Sequence, residues 1–264
     1  MDTYVFNEKN EKMAVHVTYS PKPSAPVVLI EHGLAGFKEE GMIKAAAEAF
    51  KRCDFTVVTF DARFGLGDSD GALEQANFTH FIEDLETLVS WVKTQPFYHG
   101  KLILCGHSLG AGACLDYAVH QDTQVIGVVS MAAVVSGKLL LDSYLAHKPD
   151  FVREWQKNRL LAREHPTEKE RRGFISYAHM EDAMRYHLID EMHAVKCPVL
   201  LIFADRDISS TPDINNQIYD ALRTQKEKVV IYDASHTFKT PSNQRDIMQA
   251  IEKWAEKSGL IERV

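Results

Sequence analysis

A serine between two glycines is the first candidate for chemistry in this sequence. Residues Gly106–Gly110 read Gly-His-Ser-Leu-Gly, the GxSxG pattern that places a nucleophilic serine on a tight turn between a strand and a helix. The apolar run Leu102–Cys105 predicts that strand, and Leu109–Val119 predicts the helix. The alternative is that Ser108 only caps an ordinary helix, which leaves the two glycines unexplained. We therefore predict that Ser108 is a nucleophile.

A serine hydroxyl is a weak nucleophile, so it needs a base and a group that orients the base. Two aspartates, Asp205 and Asp207, follow the apolar run Val199–Phe203, and His236 follows the run Val229–Tyr232. The carboxyl ends of parallel strands meet at one edge of a sheet, where the sites of such proteins lie. His236 would take the serine proton and return it to the leaving group, while an aspartate would hold the imidazole. Residues two apart share a face of an extended segment, so spacing alone leaves the choice of aspartate open.

Acyl transfer also requires hydrogen-bond donors for the oxyanion that forms at the attacked carbonyl. Residues Glu31–Gly36 read Glu-His-Gly-Leu-Ala-Gly and directly follow the apolar run Val27–Ile30. This position suits a loop whose backbone N–H groups point at the reacting carbonyl. We expect the N–H groups of Leu34 and Leu109 to form the oxyanion hole.

The elements that must position these residues follow from the alternation of apolar runs. Thr3–Tyr19 predicts two antiparallel strands at a sheet edge, and strand-like and helix-like segments alternate from there on. The other predicted elements are strands at Thr56–Phe60 and Val125–Val129 and helices at Lys44–Cys53, Phe78–Val92 and Pro241–Lys257. This alternation predicts an α/β fold with a mostly parallel, doubly wound sheet of about eight strands.

Residues 136–196 interrupt the alternation. They contain charges of both signs and helix-like stretches such as Phe151–Arg163, with no strand-like run. We predict a helical cap inserted into a single domain that spans residues 1–264. Because the charges of the insertion nearly cancel, a solvated surface is favoured over a specific binding patch.

Composition excludes several classes of function. The 264 residues include 30 basic and 37 acidic side chains, a formal net charge of −7, which provides no basic footprint for nucleic acid. The longest apolar run, Ile126–Val135, is far shorter than the roughly 20 residues of a membrane span, and Met1–Lys12 has no signal-like segment. We therefore expect a cytoplasmic protein with no nucleic-acid or membrane partner.

No metal-ligand pattern occurs in the sequence, so we expect no metal and no cofactor. The oligomeric state stays open.

The chain resembles the α/β-hydrolase family over essentially its whole length. The matching segments are His32-Gly33, residues 60–71 (Phe-Asp-Ala-Arg-Phe-Gly-Leu-Gly-Asp-Ser-Asp-Gly), Gly106–Gly110, Asp207 and His236. Within this family the chain is most similar to the cinnamoyl and feruloyl esterases and related acyl-ester hydrolases. The resemblance implies an α/β-hydrolase fold with Ser108 as nucleophile, His236 as base and Asp207, the second aspartate of its D-x-D run, as acid.

Four more residues near these motifs have a predicted binding or structural role. Phe37, beside the oxyanion turn, and His107, beside the serine, are the candidate substrate-binding residues. For each of them the alternative to substrate binding is an ordinary packing role. For His107 that role would place the side chain beneath the turn. Asp61 and Arg63 are interpreted as a structural pair that supports the turn.

Together these residues predict a cofactor-independent serine hydrolase that cleaves carboxylic esters with a medium-size or aromatic acyl group, through an acyl-enzyme. Its partner is then a small-molecule ester. An acyl thioesterase is the nearest alternative, and a peptidase or amidase is the next, because Glu154 or Glu181 is available to hold a substrate amine. A non-catalytic binding protein of the same fold is a further alternative, against which the complete set of site residues argues.

Overall fold

Strands and helices alternate along the computed structural model, which describes residues 1–120, 123–164 and 171–261. The strands are β1 (Asp2–Phe6), β2 (Lys12–Thr18), β3 (Val27–Glu31), β4 (Thr56–Phe60), β5 (Leu102–His107), β6 (Val125–Met131), β7 (Leu160–Glu164), β8 (Arg172–Ser176), β9 (Val199–Ala204) and β10 (Lys226–Ile231). The α-helices are α1 (Gly41–Arg52), α2 (Phe78–Lys93), α3 (Leu109–Val119), α4 (Gly137–His147), α5 (Pro149–Asn158), α6 (Ala178–Ala183), α7 (Pro212–Ala221) and α8 (Pro241–Lys257). Short 3₁₀ helices lie at Leu73–Gln75 and Leu188–Ala194. The elements predicted outside residues 136–196 are confirmed, and α7 is a helix that the sequence reading did not identify.

Eight of the strands form one sheet in the order β1-β2-β4-β3-β5-β6-β9-β10. β1 and β2 are antiparallel neighbours, and β2 is also antiparallel to β4. From β4 to β10 every neighbouring pair in this order is parallel. The predicted mostly parallel sheet with an antiparallel hairpin at its edge is therefore confirmed, and β1 and β10 are its two outer strands.

Burial explains why the central strands are nearly uninterrupted apolar runs. Every residue of β3, β4, β5 and β9 is buried, because helices cover both faces of the sheet. Phe50 of α1 and Trp254 of α8 pack in the core on one face, whereas Phe78 and Leu85 of α2 pack in the core on the other. Burying an apolar side chain of this kind contributes about 1.5–3 kcal/mol. The sheet is thus doubly wound, as predicted.

Local sequence sets where several helices begin. The hydroxyl of Thr240 accepts a hydrogen bond of 3.1 Å from the backbone N–H of Asn243, and Pro241 occupies the first turn of α8. Asn77 and Thr211 cap α2 and α7 in the same way. Of the helices that the structure describes, none has both the length and the apolar character needed to cross a bilayer.

The insertion, residues 136–196 between β6 and β9, differs from the prediction. It contains α4, α5 and α6, but also the antiparallel strands β7 and β8, so the expectation of a cap without strands was wrong. The predicted helix Phe151–Arg163 ends early, because Arg159 adopts a left-handed backbone conformation (φ 61°) that terminates α5. The indole N–H of Trp155 donates to the carbonyl of Ile175 (3.0 Å) and joins α5 to β8.

Candidate active site

Ser108 occupies the turn between β5 and α3, as the GxSxG pattern predicts. Its backbone lies at φ 56° and ψ −114°, a conformation that costs a residue with a side chain on the order of 1–3 kcal/mol. Backbone hydrogen bonds hold it there. The N–H of Ser108 donates to the carbonyl of Met131 (2.9 Å), and the carbonyl of Ser108 accepts from Gly112 (3.0 Å) and Val134 (3.0 Å).

The two glycines of the pattern are required by close packing. A Cβ atom on Gly106 would lie 2.4 Å from the carbonyl carbon of Gly110. A Cβ atom on Gly110 would lie 2.5 Å from the carbonyl oxygen of His32, directly after β3. Any larger residue at either position would therefore push α3 away from the sheet and move the serine with it.

A chain of hydrogen bonds joins three side chains that are far apart in sequence. The hydroxyl of Ser108 lies 2.9 Å from Nε2 of His236, and Nδ1 of His236 lies 2.7 Å from a carboxylate oxygen of Asp207. The other oxygen of Asp207 accepts from the backbone N–H groups of Ser209 (2.7 Å) and Ser210 (3.1 Å). Because the carboxylate can only accept, Nδ1–H donates to it, and Nε2 is then free to accept from the serine hydroxyl. The Asp207 side chain is fully buried and that of His236 is 22% exposed.

The two neighbouring aspartates have different partners. Asp207 contacts the imidazole, whereas Asp205 accepts a hydrogen bond of 3.1 Å from the backbone N–H of Ala234. This second contact joins the loop after β9 to the loop after β10. The structure therefore places Asp207, which the resemblance implied, at the imidazole, whereas Asp205 holds the histidine loop.

The candidate oxyanion donors lie beside the serine. Leu34 and Leu109 both line the cavity above Ser108, and among the described residues neither backbone N–H has a hydrogen-bond acceptor. The loop after β3 is held by His32, whose Nδ1–H donates to the carbonyl of Gly33 (2.8 Å) while its Nε2 accepts from the N–H of Ala62 (2.9 Å). Burial lowers the pKa of His32, which keeps the ring neutral and preserves both roles.

A buried ion pair supports the same loop. Asp61 accepts hydrogen bonds from the backbone N–H and the ammonium group of Lys38, both at 2.7 Å, and from the backbone N–H of Asp68 (2.9 Å). Burial acts to raise the pKa of the Asp61 carboxyl, but its charged and hydrogen-bonded neighbours lower it below its usual value. Arg63 pairs with Asp84 rather than with Asp61. The interpretation of Asp61 and Arg63 as a mutual pair was therefore wrong, although each has a structural partner.

A cavity of about 560 Å³ opens above Ser108 and His236. The insertion supplies most of its apolar wall, through Leu140, Tyr144, Phe151, Trp155, Leu161, Ile175 and Met180. None of these residues was predicted to line the site. The first four are spaced four, seven and four residues apart, which is helical periodicity. Within the described residues, no three His, Cys, Asp or Glu side chains are grouped so as to hold a metal ion.

Phe37 and His107 lie outside the residues described as lining this cavity. Phe37 is 1% exposed, and the guanidinium of Arg171 lies 4.5 Å from its ring centroid. His107 is 3% exposed and donates through Nε2 to the backbone carbonyl of His236 (2.8 Å). Burial, assisted by the neighbouring His236, lowers the pKa of His107 to about 3. The structure therefore places both residues in packing positions, and His107 supports the histidine loop from beneath.

The doubly wound sheet, and the serine, histidine and aspartate at its carboxyl edge, define an α/β-hydrolase fold. A family model described as "Serine aminopeptidase, S33" (Hydrolase_4) matches residues 22–239. The chain belongs to this family of α/β hydrolases.

Other proteins are similar to this chain in sequence or in fold. The chain is 25% identical over 242 residues to an uncharacterized 31.7 kDa protein of Escherichia coli from the traX-finO intergenic region, covering 80% of this chain and 83% of that one. It is 25% identical over 228 residues to the lysophosphatidylserine lipase ABHD12 of Danio rerio, covering 84% of this chain and 54% of that one. Among solved structures, Est1E from Butyrivibrio proteoclasticus with bound ferulic acid superposes with a TM-score of 0.78 at 15% identity, covering 97% of this chain and 98% of that chain. Alpha/beta hydrolase domain-containing protein 10 from mouse superposes with a TM-score of 0.75 at 18% identity, covering 97% and 99%.

The strained turn predicts a difference between two variants that both lack the serine hydroxyl. Only glycine adopts the backbone angles of Ser108 without strain, so Ser108→Gly should be more stable than Ser108→Ala by about 1 kcal/mol. Urea unfolding followed by circular dichroism measures both free energies of unfolding. Equal stability of the two variants would contradict strain at this position.

The low pKa of His107 predicts a loss of stability in mild acid. In the folded protein His107 stays neutral down to about pH 3, whereas an unfolded histidine takes up a proton near pH 6.5. The unfolded state therefore binds more protons between these values, and the free energy of unfolding falls as the pH drops below about 6.5. Glutamine can still donate to the carbonyl of His236 but does not titrate, so His107→Gln should flatten this fall by up to about 1.4 kcal/mol per pH unit. Urea unfolding of both proteins at pH 7, 6 and 5 measures the slopes, and identical slopes would contradict the prediction.

Proposed function

We propose that the protein is a serine hydrolase that cleaves carboxylic esters with a medium-size or aromatic acyl group through an acyl-enzyme. The observation that carries the proposal is the hydrogen-bonded chain from Ser108 through His236 to Asp207 at the floor of a largely apolar cavity. A nucleophile, a base and an orienting carboxylate within hydrogen-bond distance are what acyl transfer requires. Residues 1–264 are proposed to act as one domain in which the insertion is the cap over this site.

The reaction would run in two steps. Oγ of Ser108 attacks the ester carbonyl while Nε2 of His236 takes its proton, and the N–H groups of Leu34 and Leu109 stabilise the oxyanion. Collapse of the intermediate breaks the bond to the ester oxygen, and His236 gives its proton to the leaving alcohol. Water then attacks the acyl-enzyme with His236 again as base, which releases the carboxylic acid and restores Ser108. Asp207 holds the ring orientation throughout and stabilises the imidazolium.

The cavity supports an acyl substrate of moderate size. A volume of about 560 Å³ lies within the range of pockets that enclose small organic ligands. Aromatic and aliphatic side chains such as Phe151, Trp155 and Ile175 form its wall, and burial of an acyl chain against them is favourable. Similarity to a lysophosphatidylserine lipase and to an esterase structure with bound ferulic acid is consistent with such a substrate.

Cleavage of peptides with a free amino terminus is less well supported, although the family description names an aminopeptidase. A substrate ammonium group needs an acidic partner, and no aspartate or glutamate is among the described residues that line the cavity. Glu181 binds Arg159 instead, and Glu154 lies exposed on α5. An acyl thioester remains the nearest alternative substrate, because the same residues cleave it by the same steps.

Covalent labelling tests the proposed nucleophile. A fluorophosphonate probe should label the wild-type protein at Ser108 and leave Ser108→Ala unlabelled, and that variant should lose at least about a thousandfold in ester turnover. Ser235→Ala is the matched control, since Ser235 is a serine in the same cavity, and it should label and turn over like the wild type. Rates on alkyl esters of graded length, hydroxycinnamoyl esters, acyl-CoA thioesters and aminoacyl amides separate the alternatives. Wild-type turnover by Ser108→Ala would refute the mechanism.

The two aspartates provide a second, internally controlled test. Asp207→Asn should lower turnover about ten-thousandfold, because an amide at this position favours the wrong imidazole tautomer. Asp205→Asn keeps an oxygen that can accept from Ala234, so it should cost about 1 kcal/mol of stability at most and leave turnover within about tenfold. Ester hydrolysis of both variants, each shown to be folded by circular dichroism, gives the comparison. The opposite ranking would move the orienting role to Asp205.

A further inference from the structure

Among the residues that the structure describes, the lysines and arginines that line the active-site cavity have no acidic counterpart in the lining. Lys148, Arg163, Arg206 and Lys239 belong to the lining, and no aspartate or glutamate is described among it. This is the reverse of the chain as a whole, in which 37 acidic residues outnumber 30 basic ones. The insertion also has a near balance of charges, yet the two charged residues of its described part that line the cavity, Lys148 and Arg163, are both positive.

Most of this positive charge has no acidic partner among residues 1–120, 123–164 and 171–261. Arg206 forms an ion pair with Asp233. For Lys148, Arg163 and Lys239 no carboxylate lies within ion-pair distance among the described residues. Like charges around one opening repel each other and raise the local potential, which attracts an anion and is screened by salt.

The polar and apolar parts of the cavity are segregated by depth. All four basic residues are exposed, so they lie at the mouth, whereas Trp155, Ile175 and Met180 are buried and form the interior. A ligand that fills this space has an apolar end inside and an anionic end at the opening.

The loops of the catalytic residues indicate which part of the substrate carries the anion. Arg206 directly precedes Asp207, and Lys239 follows His236 by three residues. In the proposed reaction His236 protonates the leaving alcohol, so that alcohol lies next to these loops while the acyl chain extends into the apolar interior. The basic mouth therefore faces the leaving group.

We propose that the preferred substrates are acyl esters whose alcohol carries an anionic group, such as a phosphate or a carboxylate. This inference rests on the proposed ester hydrolysis and adds the charge of the leaving group to it. Guanidinium and ammonium groups recognise both kinds of anion. Two charge-assisted contacts at an exposed site correspond to a preference of about three- to tenfold.

Matched esters with one acyl chain test the proposal. The probes are the octanoyl esters of glycerol, of glycerol 3-phosphate and of glycolate, which pair a neutral alcohol with a phosphate and a carboxylate. We expect kcat/KM for one or both anionic esters to exceed that of the neutral ester about three- to tenfold at low salt. The preference should shrink as the salt concentration rises. Comparison of kcat/KM for the phosphate ester and the carboxylate ester shows which anion the basic residues bind better.

Charge-removal variants give the control. Arg163→Gln combined with Lys239→Gln should lower kcat/KM for the anionic esters to about that for the neutral ester, and so abolish the preference. Lys157→Gln combined with Lys253→Gln removes the same charge at exposed residues outside the cavity lining and should retain the preference. Octyl phosphate should also protect Ser108 from the fluorophosphonate probe better than octanol does, which reports binding without turnover.

The outcomes separate this inference from the proposed function. Hydrolysis of all three esters at equal rates would contradict a preference for an anionic leaving group. An equal effect of the two double variants on that preference would contradict it as well. Either result would leave the proposed ester hydrolysis unaffected. Absence of ester hydrolysis together with absence of probe labelling at Ser108 would overturn the proposed function and this inference with it.

Discussion

The backbone conformation of Ser108 is the constraint on which the rest of the site depends. A residue with a side chain remains at φ 56° and ψ −114° only where its surroundings leave no alternative. The missing side chains of Gly106 and Gly110 let α3 pack against β5 and the end of β3, and nearly every residue of α3 is buried. Burial of α3 thus offsets the local strain. The same turn presents the serine hydroxyl and the first N–H of α3 to one cavity, so these two groups are fixed relative to each other.

Residues that do not touch the reacting atoms join the remaining loops to this turn. His32 bridges the loops after β3 and β4 through its two ring nitrogens. Asp205 and His107 each bind the backbone of the loop after β10, at Ala234 and at His236 respectively. The polar groups at the carboxyl edge are therefore held before any substrate arrives, and such preorganisation is a large part of how enzymes stabilise charge. Loss of one of these supports would displace a loop rather than remove a reacting group.

The core of the fold and the three side chains at its edge could be predicted from sequence because their signals are local. Buried strands are apolar runs, and a serine between two glycines specifies its own turn. Positions that depend on distant contacts could not be predicted. β7 and β8 are short and mostly exposed, and Ile175 is their one buried residue, so they lack the long apolar run of a buried strand. Their position depends on contacts with other elements, such as the hydrogen bond from the indole of Trp155 to the carbonyl of Ile175. Likewise Phe37 and His107 adjoin the motifs in sequence but pack away from the cavity, because neighbours on a tight turn point in different directions.

The outer position of β10 bears on how separate molecules meet. An outer strand has one side of its backbone without a partner strand, and a second chain can add there and extend the sheet. The first three residues of β10 are charged: Lys226, Glu227 and Lys228. A strand that paired with β10 would have to lie directly beside these charges. Consecutive charges of this kind disfavour edge-to-edge association. They thereby disfavour an intermolecular sheet next to the histidine loop, which begins directly after β10.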